Sequence, residues 1–180
     1  NLVNATGMVL MHSTDLIQKI YFPRIILLLS KSLVALVELG VNLLLLLLLI
    51  IGYGYSPQMS WLLVIPVVLV VYISGLTIGV WVSSLSVVKR DLQHLVPHLV
   101  NLAIWVTPVF YPVSIIPEAY RGYLYWVNPI ATSIDFFRAA LFNTGDFPAM
   151  IYINTLLIIG LFYFGLLLFI RKEKSLIDNL

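Results

Sequence analysis

The sequence predicts an all-α integral membrane fold. It should hold about four transmembrane helices, a cytoplasmic amphipathic helix and a re-entrant helical hairpin in the outer leaflet. Three observations predict this. Hydrophobic residues make up 61% of the 180 positions and charged residues only 10%, against about 25% charged in a typical soluble domain. From Leu43 to Ile51 no side chain carries a polar atom, and that run is the centre of an apolar stretch beginning near Ile25. Three more apolar stretches follow, Trp61 to Val88, Leu95 to Val113 and Met150 to Ile170. Each is about 20 residues or longer, enough for a helix to cross a hydrocarbon core of roughly 30 Å.

The expected order is a single transmembrane domain over 1–180. An amphipathic helix covers 12–22, and the spans cover 25–53, 60–88, 93–113 and 149–170. An outer hairpin and short helix fill 114–148, and a cytoplasmic tail runs over 171–180. Four crossings put both ends on one side. Lys19, Arg24, Lys31, Lys89, Arg90, Arg171, Lys172 and Lys174 share that side, and only Arg121 and Arg138 fall on the other. The excess of basic residues places that side in the cytoplasm. Asn1 stands where a Met would open a gene product, and no basic n-region precedes an apolar core. The expectation is a chain that begins part-way through a longer protein and carries no signal peptide.

His12 to Phe22 reads as a short amphipathic helix. Asp15 followed by Gln18 resembles a helix start. Leu16, Ile17, Ile20 and Tyr21 share one face at helical spacing, with Gln18 and Lys19 off it. Pro23 breaks the pattern and can open the next helix at its first turn. The first span closes at Gly52-Tyr53-Gly54-Tyr55-Ser56-Pro57, a turn sequence. Within it, Glu38 and Asn42 lie one turn apart, with Lys31 two turns from Glu38 on a similar face. An acid in hydrocarbon is costly and normally faces a bundle interior or cavity. The two readings are an interhelical polar contact and a residue of a substrate path.

The second span carries Pro66 and Gly75-x-x-x-Gly79, a small-residue spacing that permits close helix approach. Lys89-Arg90-Asp91 forms the inner loop, and Asp91 can cap the helix after it. In the third span, Trp105, Phe110 and Tyr111 surround Thr107-Pro108, and Pro108 and Pro112 should kink or end the helix. Aromatic faces there can stack on sugar rings or anchor the chain at the lipid interface. Beyond, Ser114 to Ala149 is largely apolar yet too broken to cross, with Asn128-Pro129 inside it. Tyr111, Tyr120, Tyr123, Tyr125 and Trp126 suit the interface. The segment reads as a helical hairpin in the outer leaflet, then a helix from about Ala131 to Phe142. Irregular backbone at that depth must be buried in protein or face water, which makes it a candidate exit gate. Asp135 and Arg138, three residues apart, can pair on that short helix.

No catalytic residue is assigned. The sequence has no GxSxG, no HExxH and no GxxxxGK[ST], so it should not bind ATP by that loop. The absence of cysteine excludes disulfides and thiolate chemistry. His94 and His98 are spaced i, i+4, but Leu95 holds the HExxH acid position and no third ligand is evident, so no metal is expected.

The order of short motifs is more specific than any one of them. Lys19-Ile20-Tyr21-Phe22-Pro23-Arg24 precedes a span. Lys89-Arg90-Asp91 is followed by Leu95-Val96-Pro97, then Thr107-Pro108-Val109-Phe110-Tyr111-Pro112. Ile116-Pro117-Glu118, Asn128-Pro129 and Phe136-Phe137-Arg138 come after. Over nearly its whole length the chain resembles the permease subunit of ABC-2 type transporters, in the branch that exports O-antigen, capsule and teichoic-acid polymers. That family has six spans per subunit, and the resemblance begins at the end of the second.

The resemblance implies a multi-pass subunit of the bacterial cytoplasmic (inner) membrane with no enzymatic chemistry of its own. Its expected partners are a second copy, two ATP-binding cassette subunits, a lipid-linked polysaccharide and membrane lipids, with no nucleic acid. No cofactor is expected in this chain; ATP and Mg would sit on the partner subunits. Asp15, Leu16, Ile17, Lys19, Ile20 and Tyr21 would couple the chain to the ATPase. Trp105, Phe110 and Tyr111 would be candidates for the polymer path, and Tyr120, Tyr123 and Trp126 for the outer gate. Other readings are an ABC-2 exporter of drugs or small hydrophobic cargo and an integral membrane lipid-modifying enzyme. A membrane scaffold is a further one, though it has no need of a broken, polar outer hairpin.

Overall fold

The computed structural model describes residues 2–9, 23, 25–86, 91–144 and 147–177. Among these, seven α-helices and two short 3-10 turns follow one another. Helix α1 is Leu2–Gly7 and α2 is Ile25–Gly52. A 3-10 turn at Met59–Leu63 leads into α3, Val64–Ser86. Helix α4 is Asp91–Val106, and a 3-10 turn at Val113–Ile115 separates it from α5, Glu118–Val127. Helix α6 is Pro129–Phe142 and α7 is Met150–Ile177. The described residues contain no strand. The expected amphipathic helix over 12–22 lies outside them.

Three helices are long and apolar enough to cross a membrane: Ile25–Gly52, Met59–Leu85 and Met150–Lys172. The third apolar segment behaves differently. The helix expected over 93–113 stops at Val106, having 16 residues, or about 24 Å of rise. Pro108 is the reason. It has no N–H to continue the ladder and pushes Thr107 out of the helical region. The chain turns instead, with Val109 N donating to Thr107 O at 2.7 Å.

Helix α3 is the centre of the fold. One side of it receives α1 so closely that Gly75 and Gly79 are needed there: a Cβ at Gly75 would stand 2.8 Å from Leu2 Cδ2, and one at Gly79 would overlap Thr6 Oγ1. The small-residue spacing read from the sequence is therefore a seat for Leu2 and Thr6. Another side receives α7, where the Trp81 indole lies over Gly165 and donates to Leu161 O at 3.0 Å. The N-terminal half of α3 meets α6 and the start of α7 through Val67, Phe136 and Ile151.

Helix α2 stands apart. Only 6% of its most apolar window is buried in the chain, against 39% and 22% for the other two spans. It is pinned at both ends. Near its start, Leu28 packs with Val9, Val80 and Phe169, and Tyr72 donates to Ser32 O at 2.9 Å. Near its end, Ile50 packs with Val64, Ala140 and Leu141. The turn after it carries Gly54 at φ 90°, a left-handed conformation that glycine adopts without steric cost.

Candidate functional site: the outer hairpin

The hairpin exists because Asn128-Pro129 both ends α5 and starts α6. Pro129 suits the first helical position. The Asn128 side-chain oxygen accepts from Ile130 N at 3.1 Å and Ala131 N at 3.3 Å, capping the first turn of α6. The other end of the same amide, Nδ2, donates to Thr107 Oγ1 at 2.8 Å. The Thr107 hydroxyl in turn donates to Ala103 O at 2.7 Å. One side chain thus caps α6 and ties the hairpin to the turn that ends α4.

A second tie runs through α7. Asn154 is fully buried, and its Nδ2 donates to Thr132 Oγ1 at 2.8 Å and to Tyr125 O at 3.1 Å. Helices α5, α6 and α7 therefore meet on one amide, whose Oδ1 has no partner. Tyr125 donates to Asp135 Oδ2 at 2.7 Å. Burial first, then that hydrogen bond and the carboxylate's charge, push the Tyr125 phenol above its ordinary range.

Arginines complete the frame. Arg138 donates to Tyr111 O at 2.9 Å and to Val109 O at 2.6 Å. Arg121 donates to Ile116 O at 2.8 Å and Ser114 O at 3.1 Å. The Asp135–Arg138 pair expected from spacing does not form. Asp135 is taken by Tyr125, and Arg138 serves main-chain carbonyls of the turn beyond the end of α4. Among the described residues the one ion pair is Arg121–Glu118 at 3.9 Å, exposed on its acidic side. Lys31 and Glu38 do not pair either.

The structure brings some of the sequence candidates together. Trp105 and Phe110 are 73% and 72% exposed, with ring centroids 5.8 Å apart and planes at 43°. Tyr111 is half-buried and its hydroxyl turns back to donate to Val106 O at 3.0 Å. Tyr120, Tyr123 and Trp126 are all exposed along α5. They face away from the bonded frame, while Tyr125 faces into it. Glu38 and Asn42 are exposed on α2, far along the chain from the hairpin. Asn42 borders a cleft between α2, α3 and α6. Asp15, Leu16, Ile17, Lys19, Ile20 and Tyr21 lie outside the described residues. His98 is exposed, and no group of three or more metal-ligating side chains is found among the described residues.

This set of helices and hairpin coincides with a family match over residues 17–142, to the ABC-2 type transporter. The chain belongs to that family. Relatives similar to it carry consistent names. An O-antigen export system permease protein RfbA of Myxococcus xanthus is 32% identical over 72% of this chain and 50% of its own length. A protein of the same description from Klebsiella pneumoniae is 27% identical over 85% of this chain and 61% of its own. A second from Klebsiella pneumoniae is 27% identical over 73% and 51%. The chain spans about half to three fifths of the length of these relatives. As an ABC-2 transporter chain with three spanning helices, it is a multi-pass protein of the bacterial inner membrane.

Sequence reasoning missed Asn154 and Thr132 in this ABC-2 chain. The signal was present: Asn154 and Thr155 are the polar interruption in the apolar stretch from Met150 to Ile170, and a carboxamide in hydrocarbon needs a partner. Thr107 was noted only as the neighbour of Pro108; its role as acceptor for Asn128 requires the fold.

Proposed function

We propose that this chain is the membrane-spanning permease of an ATP-driven exporter that moves a lipid-linked polysaccharide across the cytoplasmic membrane. The observation that carries the reading is the likeness, over 72% to 85% of this chain, to three proteins named as O-antigen export permeases. The outer hairpin supports it. Its polar groups are spent inside, and it presents aromatic faces outward at Trp105, Phe110, Tyr120, Tyr123 and Trp126. Ring faces of this kind pack against the C–H faces of sugars without needing a fixed charge.

In this reading two copies surround the path, and two ATP-binding cassette subunits bind and hydrolyse ATP with Mg on the cytoplasmic side. The segment containing Asp15, Leu16, Ile17, Lys19, Ile20 and Tyr21 docks on that ATPase, its apolar face in a cleft and Lys19 beside it. Trp105, Phe110 and Tyr111 border the polymer path, and α5 with Tyr120, Tyr123 and Trp126 forms its outer gate. Glu38 and Asn42 make polar contacts inside the assembled bundle.

The test is deletion and complementation. Loss of the gene should abolish polymer at the cell surface while undecorated lipid-linked polymer collects inside, and the intact gene should restore export. Lys19→Glu should leave the protein inserted, and its ATPase active, with export lost. A deletion strain with unaltered surface polymer but greater sensitivity to small hydrophobic toxins would overturn the polysaccharide reading in favour of small cargo.

A further inference from the structure

Helix α5 is fastened to its neighbours at one end only. None of its ten residues is buried, and none belongs to a buried apolar cluster. Among the described residues, both hydrogen bonds that join it to another helix run through Tyr125. The hydroxyl donates to Asp135 Oδ2 of α6 at 2.7 Å, and the carbonyl accepts from Asn154 Nδ2 of α7 at 3.1 Å. Toward its other end, α5 bonds to its own approach. Arg121 donates to Ile116 O and Ser114 O, and Tyr120 N donates to Pro117 O at 2.9 Å. Residues 114–127 therefore hold together as one body. The flanks of that body are fixed. Val113 is buried, Asn128 is tied to Thr107, and Arg138 holds the carbonyls of Val109 and Tyr111.

We infer that residues 114–127 form a flap that pivots at Val113 and Asn128 and is latched shut by the Tyr125 hydroxyl on Asp135. Element-terminal residues of this kind absorb the backbone change of a hinge. The two bonds of Tyr125 respond differently to a swing. Its carbonyl lies three residues from the pivot at Asn128, so it moves little and keeps Asn154. Its phenol oxygen stands at the tip of a long side chain and must leave Asp135. The donor is always ready, because Tyr125 keeps its proton above the ordinary tyrosine range. Once released, the flap carries Tyr120, Tyr123 and Trp126 as a block, since Arg121 binds their approach to them. Tyr125 is thus a positioning residue: it touches no cargo and sets where the exposed rings stand. The latch rests on these bonds alone; that its release admits cargo rests on the reading of α5 as the outer gate.

The test is a distance measurement on the full-length protein in lipid nanodiscs. This chain has no cysteine, so nitroxides on Ala119→Cys and Tyr152→Cys report the flap against α7, and Gly40→Cys with Tyr152→Cys reports the frame. Dilution with unlabelled protein removes distances between copies. The 119–152 pair should give one narrow population in the parent protein. Tyr125→Phe should add a second population displaced by several ångström, with the open-to-closed ratio raised about tenfold by loss of a bond to a charged acceptor. Asp135→Ala breaks the same latch from the other side, so a folding failure of one variant leaves the other informative. Asp135→Asn keeps a carbonyl acceptor and should restore much of the closed population. The 40–152 distance should stay unchanged throughout. Identical 119–152 distributions in the parent and both latch variants would overturn the inference. So would an equal spread of the 40–152 pair, which marks general loosening. A flap that opens while polymer export stays unaltered supports the latch and counts against the gate reading alone.

Discussion

Arg138 Nη1 stands 2.9 Å from the carbonyl oxygen of Tyr111, and its Nη2 reaches Val109 O at 2.6 Å. Arg138 and Tyr111 are 27 positions apart in the chain, so the bond closes the whole hairpin onto the turn that ends α4. Charge-assisted bonds to carbonyls are worth about 1.5–3 kcal/mol when buried, and the partial exposure of this pair places the total toward the lower end. Arg138→Gln should lower the thermal midpoint in detergent by several degrees, and Arg138→Lys should recover only part of it, since a single ammonium cannot span both carbonyls. Equal midpoints for wild type and Arg138→Gln would show that the clamp contributes nothing.

Asn128 performs two tasks that substitution can separate. Asn128→Asp keeps the cap on α6 but loses the donor to Thr107, while Asn128→Ala loses both. The cap alone is worth about 0.5–2 kcal/mol. The expected stability order is wild type, then Asp, then Ala. A double-mutant cycle with Thr107→Val should give a coupling of about 0.5–1.5 kcal/mol. Additive losses would mean that Asn128 and Thr107 do not interact in the folded protein.

Asn154 is the junction of three helices. Asn154→Leu strips Thr132 Oγ1 and Tyr125 O of their donor in a buried place, at a cost of about 1–3 kcal/mol. The α5–α6 hairpin should become more open to hydrogen exchange, with α2 unaffected. Protection that falls evenly over all helices would contradict this local role.

Two glycine changes should act in opposite directions. At Gly79 an added Cβ collides with Thr6 Oγ1, whereas at Gly40 nothing lies within 4 Å. Gly79→Ala should destabilise the seat of α1 on α3. Gly40→Ala should be neutral or stabilising by up to about 1 kcal/mol, through helix propensity. Unfolding in detergent compares the two, and a Gly79→Ala protein as stable as wild type would refute the close approach.

Tyr125 gives a pH signature. Its phenol pKa is raised in the folded state, above the ordinary value of about 10. The folded protein holds that proton more tightly than the unfolded chain, so the stabilisation is complete below about pH 10 and is lost as pH climbs beyond it. Titrated by phenolate absorbance, Tyr125 should ionise above the ordinary tyrosine range. Asp135→Asn should move it earlier, because the carboxylate's charge is gone while burial remains. A Tyr125→Phe protein that loses early-titrating absorbance would contradict the assignment.

Much of this architecture was legible in the sequence because bilayers demand long apolar runs: Ile25 onward, Trp61 onward and Met150 onward need only length and composition. Asn128-Pro129 also announced its turn, since proline and asparagine carry local backbone preferences. What failed were inferences from spacing between polar residues. Asp135 and Arg138 sit at pairing distance along the helix, yet each finds a better partner across the fold, Tyr125 and two carbonyls. The third apolar run was over-extended because hydropathy continued through Pro108 while backbone hydrogen bonding did not. Asn154 escaped notice because a single amide in an apolar helix reveals its importance only once Thr132 and Tyr125 are beside it.

Arg121 and Arg138 keep their positive charges while they donate to main-chain oxygens, and Glu118 and Asp135 on the same two helices balance them, so the α5–α6 hairpin is close to neutral as a whole. In the proposed exporter, an acidic polymer passing the hairpin would gain no net attraction there, and a neutral one would suffer no disadvantage. Export by the proposed assembly should therefore depend only weakly on ionic strength at this hairpin.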